Sequence, residues 1–499
     1  MPATRALTLA LFCCLAGCAV RPVNPPLTQV DQNNPYLLDR LTENTDQNRT
    51  LVILSFSGGG TRAAAFSYGV LETLHRTEIE QKDGKKVRML DWVDTNTGVS
   101  GGSFTALAYR LYGDKLFDDY EKRFLKRNIQ GELIGRVLNP LNWPALSSTG
   151  WGRSELAADL YDEVLFKGAT FADLKKTKGP FVAVSATDIT TGTRVDFIPT
   201  HFEALCTDLD SFRIARAAAA SSAVPVVLSP VTINNYGGSC GFKNPYWTTL
   251  FLDGGANPPR PAARVTRRLQ ELIELTDGDH PFLHLVDGGV SDNLGLRGVL
   301  DTINLYEAMH EVGLKSSIDH ASRIIVFVVN SVSIPDNNWS KSERAPGMIS
   351  MMIKAAGVPI NRYSGEQIEQ LKDIEARWKT LRRIRDSNAL TSTDDAEINS
   401  ARRVPNAELY AINVSFAALN DDTERNYLNQ LPTSFVLQDE AVDRLRAAAA
   451  KIIIDSPDFQ RLLKDMGATT VQSPARSTST STSTSTSTST STSTSTPAP

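Results

Sequence analysis

Gly98-Val99-Ser100-Gly101-Gly102 fits the G-x-S-x-G pattern, in which a serine sits on a sharp turn between a strand and a helix with its hydroxyl clear of the sheet. The flanking glycines relieve crowding at such a turn, and the first N–H groups of the following helix favour negative charge nearby. The same pattern also describes a serine that only caps the helix beginning near Gly101, so a nucleophilic Ser100 requires a base and an oxyanion site elsewhere in the chain. Upstream, Ser57-Gly58-Gly59-Gly60-Thr61-Arg62 places three consecutive glycines between an apolar run and a helix-compatible stretch, a composition that turns backbone N–H groups outward toward an anion. Downstream, Asp287 closes the apolar run of "PFLHLVDGG" and precedes two glycines, which puts a carboxylate at the end of a strand where it can take the serine proton directly. Taken alone, that stretch reads equally as an Asp-Gly turn without chemistry.

Other chemistries fit less well. Gly58-x-Gly60-x-x-Ala63, with Glu78 further on, matches a dinucleotide fingerprint, but the polar "HRTEIEQKDGKK" supplies no second strand to carry the acid. No Lys-Ser or Lys-Thr follows the glycines, as a phosphate loop would require. A Ser-His-Asp triad needs a late histidine; His310 sits on a helix-like stretch and His320 precedes a strand, which keeps a triad esterase open as an alternative. Asp253 in "LFLDGGANPPRP" is a second Asp-Gly-Gly, yet Pro258, Pro259 and Pro261 mark it as a loop. The chain has six histidines and five cysteines but no CxxC or HExxH, and the histidines show no ligand spacing, so no metal site is expected.

The elements that must position these residues alternate along the chain. "LVILSF" (51–56) reads as a buried strand and "TRAAAFSYGVLETLH" after it as a helix; "MLDWVDTNT" reads as the strand before Ser100, with a helix from about Gly101 to Tyr112. Further strands are predicted in "GPFVAVSATDI", "PFLHLVDG", "RIIVFVVNS" and "ELYAINVSF", with helix-compatible stretches between most of them. That alternation implies an α/β protein whose mainly parallel sheet is covered by helices on both faces. Ile368, Leu371, Ile374, Trp378, Leu381 and Ile384 recur at steps of three or four and predict an amphipathic helix over 364–386. Just before it, Met348, Met351 and Met352 read as core packing, with the lining of a lipid-binding mouth as the alternative.

In order and separation, "SGGGTR", "GVSGGS" and "VDGGVSDN" resemble the patatin-like phospholipase family: a glycine-rich oxyanion loop, a serine elbow and an Asp-Gly-Gly motif. "SATDITTGTRVDF" and "AAAASSAVPVVLSP" also resemble family segments, and the similarity runs from about Leu51 to the "RIIVFVVNS" strand. The resemblance implies a three-layer α/β/α fold and a Ser-Asp dyad that hydrolyses lipid acyl esters without metal or cofactor. It assigns Ser100 as nucleophile, Asp287 as base in preference to Asp253, the N–H groups around Gly58, Gly59 and Gly60 as oxyanion hole, and Arg62 as a support for that loop. Ala63 stands where many members have another glycine.

The two ends and the composition place this activity. The start, with Arg5, an apolar run and Leu15-Ala16-Gly17-Cys18, is too short to span a bilayer and resembles a bacterial lipobox, which implies removal of residues 1–17 and lipidation of Cys18. Ala19 after that cysteine points to outer-membrane sorting within a cell envelope. Prolines 22, 25, 26 and 35 make 18–50 a tether; residues 51–332 are expected to form the catalytic domain, 333–466 an α/β extension packed on it, and 467–499 a disordered tail that includes the Ser-Thr alternation of 477–496. An exported compartment permits a Cys206–Cys240 disulfide, with two separate buried thiols as the alternative. A net charge of −4 from 52 basic and 56 acidic residues gives no footprint for nucleic acid. The expectation is a membrane-anchored serine hydrolase acting on phospholipids; a catalytically inactive scaffold of the same fold and a Ser-His-Asp esterase on non-lipid esters are the alternatives.

Overall fold

Alternation along Ile324-Ile325-Val326-Phe327-Val328-Val329 sorts side chains onto two faces of one sheet: Ile325, Phe327 and Val329 enter one apolar core, and Ile324, Val326 and Val328 enter another. The computed structural model describes residues 20–30, 49–80, 84–148, 150–243, 260–276, 279–311, 314, 317–334, 338–387 and 404–472. The proposed leader, Cys18, Asp253 and the Ser-Thr repeat lie outside these residues.

The strands are β1 (Arg49–Phe56), β2 (Thr77–Glu80), β3 (Lys86–Arg88), β4 (Val93–Val99), β5 (Phe181–Asp188), β6 (Arg194–Asp196), β7 (Val231–Asn234), β8 (Phe282–Asp287), β9 (Ala321–Asn330), β10 (Glu408–Ser415) and β11 (Thr469–Gln472). The main sheet runs β10-β9-β1-β4-β5-β8-β7, with β6 on β5, and β11-β2-β3 form a small second sheet. From β10 to β5 the pairs are parallel, so these strands deliver their carboxyl ends to one edge. β8 pairs antiparallel to β5 and β7 antiparallel to β8, so the parallel sheet expected from the sequence ends in an antiparallel flank. The strand expected at 89–97 is shorter, because Met89–Trp92 form a single 3-10 turn before β4.

One face is covered by α1 (Thr61–Arg76), α2 (Gly101–Tyr112), α3 (Ile214–Ser221) and, from the far end of the chain, a helix over Asp439–Asp455. The other face carries α4 (Gly289–Asp292), α5 (Arg297–Glu311) and α6 (Met348–Asp386). Its core joins Leu294, Val299 and Ile303 to Ile368, Leu371, Ile374 and Trp378 of α6. The layering is therefore α/β/α. β10 hydrogen-bonds to β9 along its whole length, so the C-terminal part of the chain extends the central sheet itself.

Two sequence expectations change here. The amphipathic helix begins at Met348 instead of residue 364, and Met348 and Met351 are exposed, so they do not pack in the core. Residues 20–30, expected to be part of a free tether, lie docked along the antiparallel flank. Asn24 accepts from the N–H of Asn234 and donates to its carbonyl, both at 2.8 Å, while Leu27 N–H donates to Cys206 O at 2.7 Å and Val30 N–H to Cys240 O at 3.2 Å. Arg21 reaches Asn234 and lies over the Phe282 ring. The receiving surface is itself stapled, because Cys206 and Cys240 form a disulfide with Cα atoms 5.4 Å apart, and Val30 packs against it. Replacing both cysteines with serine is expected to lower the unfolding free energy by about 2–4 kcal/mol. The same change should free residues 20–30 for early proteolysis; urea unfolding and timed trypsin digestion read the two effects, and unchanged digestion would show that the strap holds without the staple.

Candidate active site

The turn after β4 forces Ser100 into φ 48°, ψ −121°, a conformation that L side chains rarely adopt. Neighbouring glycines make the turn possible: a Cβ on Gly101 would lie 2.0 Å from Gly60 O, so the glycine loop and the start of α2 approach closely only without side chains. The Ser100 N–H donates to Ser221 Oγ at 2.9 Å, and its carbonyl accepts from Ser103 Oγ at 2.6 Å. Thus held, the Ser100 hydroxyl donates to Asp287 Oδ2 at 2.8 Å.

Asp287 arrives from the antiparallel strand β8. Its N–H donates to Ala223 O at 3.0 Å, and the next residue's N–H to Ser221 O at 3.1 Å, so the stretch that ends α3 grips both members of the pair. The second carboxylate oxygen accepts the Gly289 N–H at 2.8 Å. Ser100 and Asp287 are 5% and 8% exposed. Burial pushes the Asp287 carboxyl up to about 6, while the Gly289 N–H and the serine hydroxyl pull it part of the way back. Arg194 is buried and paired with Asp196, Asp292 and Asp301. Burial by itself would raise the Asp196 carboxyl, but Arg194 holds it down at about 2.

The glycine loop differs from the sequence expectation at one position. The Gly58 N–H donates to Asn293 O at 2.8 Å and is therefore committed inside the protein. Among the described residues no internal acceptor takes the N–H groups of Gly59, Gly60 or Gly101, and these are the donors free to meet an oxyanion. Gly60 has φ +62°, and a Cβ there would come within 2.3 Å of Ser434 O. The following Thr61 N–H donates to that same carbonyl at 2.8 Å. Arg62 is buried and points away from the serine, donating to Ser331 O at 2.8 Å, Leu431 O at 2.7 Å and Thr433 Oγ1 at 3.1 Å. Burial lowers its guanidinium to about 10, still charged at neutral pH. Arg62 thereby ties the loop to the end of β9 and to residues 431–433.

Sequence reasoning singled out the stretch around Ser221 without giving it a role, and it missed Asn293, Ser331 and Ser434. Asn293 lies inside the quoted "VDGGVSDN"; nothing local marks 431–434, because their importance comes from chain segments far apart in sequence. The histidines lie elsewhere. Ala321 pairs with Arg49 at the start of the parallel strands, so His320 is at the opposite edge from Ser100, roughly 20 Å away at about 3.3 Å per strand residue. His310 faces Asp319 at 2.5 Å, and His201 is buried, with Nδ1 accepting the Asp196 N–H at 3.0 Å. Among the described residues no group of His, Cys, Asp and Glu could hold a metal ion. A cleft of about 740 Å³ lined by Leu138, Trp143, Leu146, Pro230 and His284 opens on the β7–β8 flank, and neither Ser100 nor Asp287 lines it.

A three-layer α/β/α body with a serine elbow beside a glycine loop is the patatin fold. Residues 54–266 match the family model for patatin-like phospholipases. The matched span includes the glycine loop and Ser100 and stops before Asp287. No curated protein matches the chain. Among solved structures, human GIVD cytosolic phospholipase A2 is similar with 13% identity over 86% of this chain and 64% of its own, at a TM-score of 0.43. The same human enzyme in complex with methyl gamma-linolenyl fluorophosphonate gives 12% identity over 84% and 59%, at a TM-score of 0.38. VipD from Legionella pneumophila gives 12% identity over 91% and 72%, at a TM-score of 0.29. The chain thus spans less than two thirds of the human enzyme's length.

The raised Asp287 carboxyl has a consequence for stability. Its proton is lost near 3.8 in the unfolded chain and near 6 in the folded one, so between these values only the folded state holds it, and stability falls as pH rises through that window. Asp287→Asn is expected to remove this cost, which reaches about 3 kcal/mol above pH 7. Its melting temperature should exceed the parent's at pH 8 and approach it at pH 4; equal melting temperatures at pH 8 would contradict the burial argument.

Proposed function

We propose that the protein is a serine acyl hydrolase that releases ester-linked fatty acids from phospholipids. The observation that carries this reading is the 2.8 Å hydrogen bond from Ser100 Oγ to the buried Asp287 carboxylate. In the mechanism, Asp287 takes the hydroxyl proton as Ser100 Oγ attacks the ester carbonyl, and the oxyanion of the tetrahedral intermediate accepts from the free N–H groups of Gly59, Gly60 and Gly101. The C–O bond to the alcohol then breaks, and the leaving lysolipid or glycerol oxygen takes the proton from Asp287. Water attacks the resulting acyl-Ser100 ester with Asp287 again as base, and the fatty acid leaves as the serine regains its proton. Neither metal nor cofactor enters these steps.

A phospholipid substrate is supported by the patatin-like phospholipase domain over residues 54–266. The intact Ser100–Asp287 contact weighs against an inactive scaffold, and the position of His320 weighs against a Ser-His-Asp site. Lipidation of Cys18 at an envelope membrane completes the proposal, since it would keep the enzyme beside its substrate; Cys18→Ala should then move the protein from the membrane fraction to the soluble one.

Fatty-acid release from mixed phospholipid vesicles tests the chemistry. Ser100→Ala and Asp287→Ala should each lower turnover by about a thousandfold or more. A serine-directed fluorophosphonate should label the parent and not Ser100→Ala. For the parent, kcat/KM should rise with pH as Asp287 ionises near 6 and level off above it. A folded parent that neither releases fatty acid nor takes the label would overturn the reading, and an active Asp287→Ala would remove the dyad from it.

A further inference from the structure

Helix α6 is longer than the sheet it covers. Its 39 residues extend about 58 Å, whereas the eight residues of β10 extend about 26 Å. The register of the overlap follows from contacts. Near the C-terminal end of α6, Arg382 and Arg385 donate to Asn406 O and Val404 O, just before β10 starts. Midway, Glu375 accepts from the Ala411 N–H. Around and before it, Ile368, Leu371, Ile374 and Trp378 complete the buried contact, and α4, which follows Asp287 directly, packs on α6. The helix therefore runs opposite to the parallel strands, and residues 348–363, about 24 Å of helix with Pro359 inside it, lie beyond this overlap on the side of the edge where Ser100 and the glycine loop sit.

That projecting part has an unusual composition. No acidic residue occurs between Ala345 and Gly365, and the only charges there are Lys354 and Arg362. Met348 and Met351 are 74% and 48% exposed, and Val358 and Tyr363 are exposed as well. The same edge carries exposed Val226 and Val227, from the loop that follows the Asp287-gripping stretch, and Val290, three residues after Asp287. Among the described residues no helix is long and apolar enough to cross a membrane. An apolar, purely cationic helical arm beside the reaction edge has the character of a segment that lies in the interface of a bilayer, its methionines among the acyl chains and its cations at anionic headgroups.

We propose that residues 348–363 of α6 dock the protein on an anionic phospholipid bilayer with the Ser100 edge turned toward the lipid. The inference deepens the hydrolase reading by assigning the surface that brings it to its substrate, and it rests on that reading only for the use made of the contact. The test uses full-length protein carrying Cys18→Ser and Ser100→Ala, so that neither an attached lipid nor hydrolysis contributes, and measures flotation with vesicles of equal parts phosphatidylcholine and phosphatidylglycerol. Adding Met348→Ser and Met351→Ser is expected to weaken binding roughly tenfold or more. Adding Lys354→Glu and Arg362→Glu instead should abolish the preference over vesicles of phosphatidylcholine alone. With Ser100 restored, the methionine variant should keep its turnover of a water-soluble short-chain ester and lose turnover of vesicle phospholipid. The proposal is overturned if the parent does not float, if both variants float like the parent, or if the methionine change turns an oligomer into a monomer while flotation persists, which would assign the arm to a second copy of the chain. Binding through 348–363 by a protein that hydrolyses no ester would sustain this inference and discard the hydrolase reading.

Discussion

A buried carboxylate that pairs with no cation among the described residues and accepts a serine hydroxyl is the constraint around which the rest of the structure is arranged. Burial alone disfavours the charge on Asp287, and among the described residues two hydrogen bonds, from Ser100 and Gly289, partly offset that cost. The buried Arg194 is paired with three other carboxylates, Asp196, Asp292 and Asp301. The result is a carboxyl that takes up a proton near pH 6, obtained at a cost in stability.

Holding the pair requires parts of the chain that are distant in sequence. The parallel strands end together and present the Ser100 turn; β8 runs the other way and brings Asp287 to the same level, where Ala186 pairs with it. The end of α3 then bonds to both residues, so a shift of either strand would break contacts to the other. The glycine loop is held in a similar manner by Asn293 on one side and by Leu431, Thr433 and Ser434 on the other. Because β10 extends the central sheet and residues 431–434 hold the glycine loop, the chain beyond the matched family span is part of the same unit.

The geometry of the sheet edge also orders what surrounds the site. The strap of residues 20–30 lies on the antiparallel flank, stapled through the Cys206–Cys240 surface, and α6 rises past the edge on the opposite flank. Ser100 sits between them. In the proposed orientation this arrangement presents the serine to lipid between two fixed supports.

Much of the local structure was legible in the sequence because it rests on short-range physics. Runs such as "LVILSF" and "RIIVFVVNS" are strands for want of polar residues, and Ser100 is recognisable because only glycine neighbours permit its turn. The tertiary structure decided what depends on partners far along the chain. Gly58 looks the same as Gly59 in sequence, but its N–H is taken by Asn293. Met348 and Met351 belong to a run with the composition of a core and are left outside it, because the helix outruns the sheet that would have buried them. Asp287 could be proposed from its motif, but that it meets Ser100 at hydrogen-bond distance depends on an antiparallel pairing that no local pattern encodes. Residue types and spacing thus determined which groups could do chemistry, and strand order determined which of them came together, since pairing between distant strands is set by the whole core and by no single stretch of it.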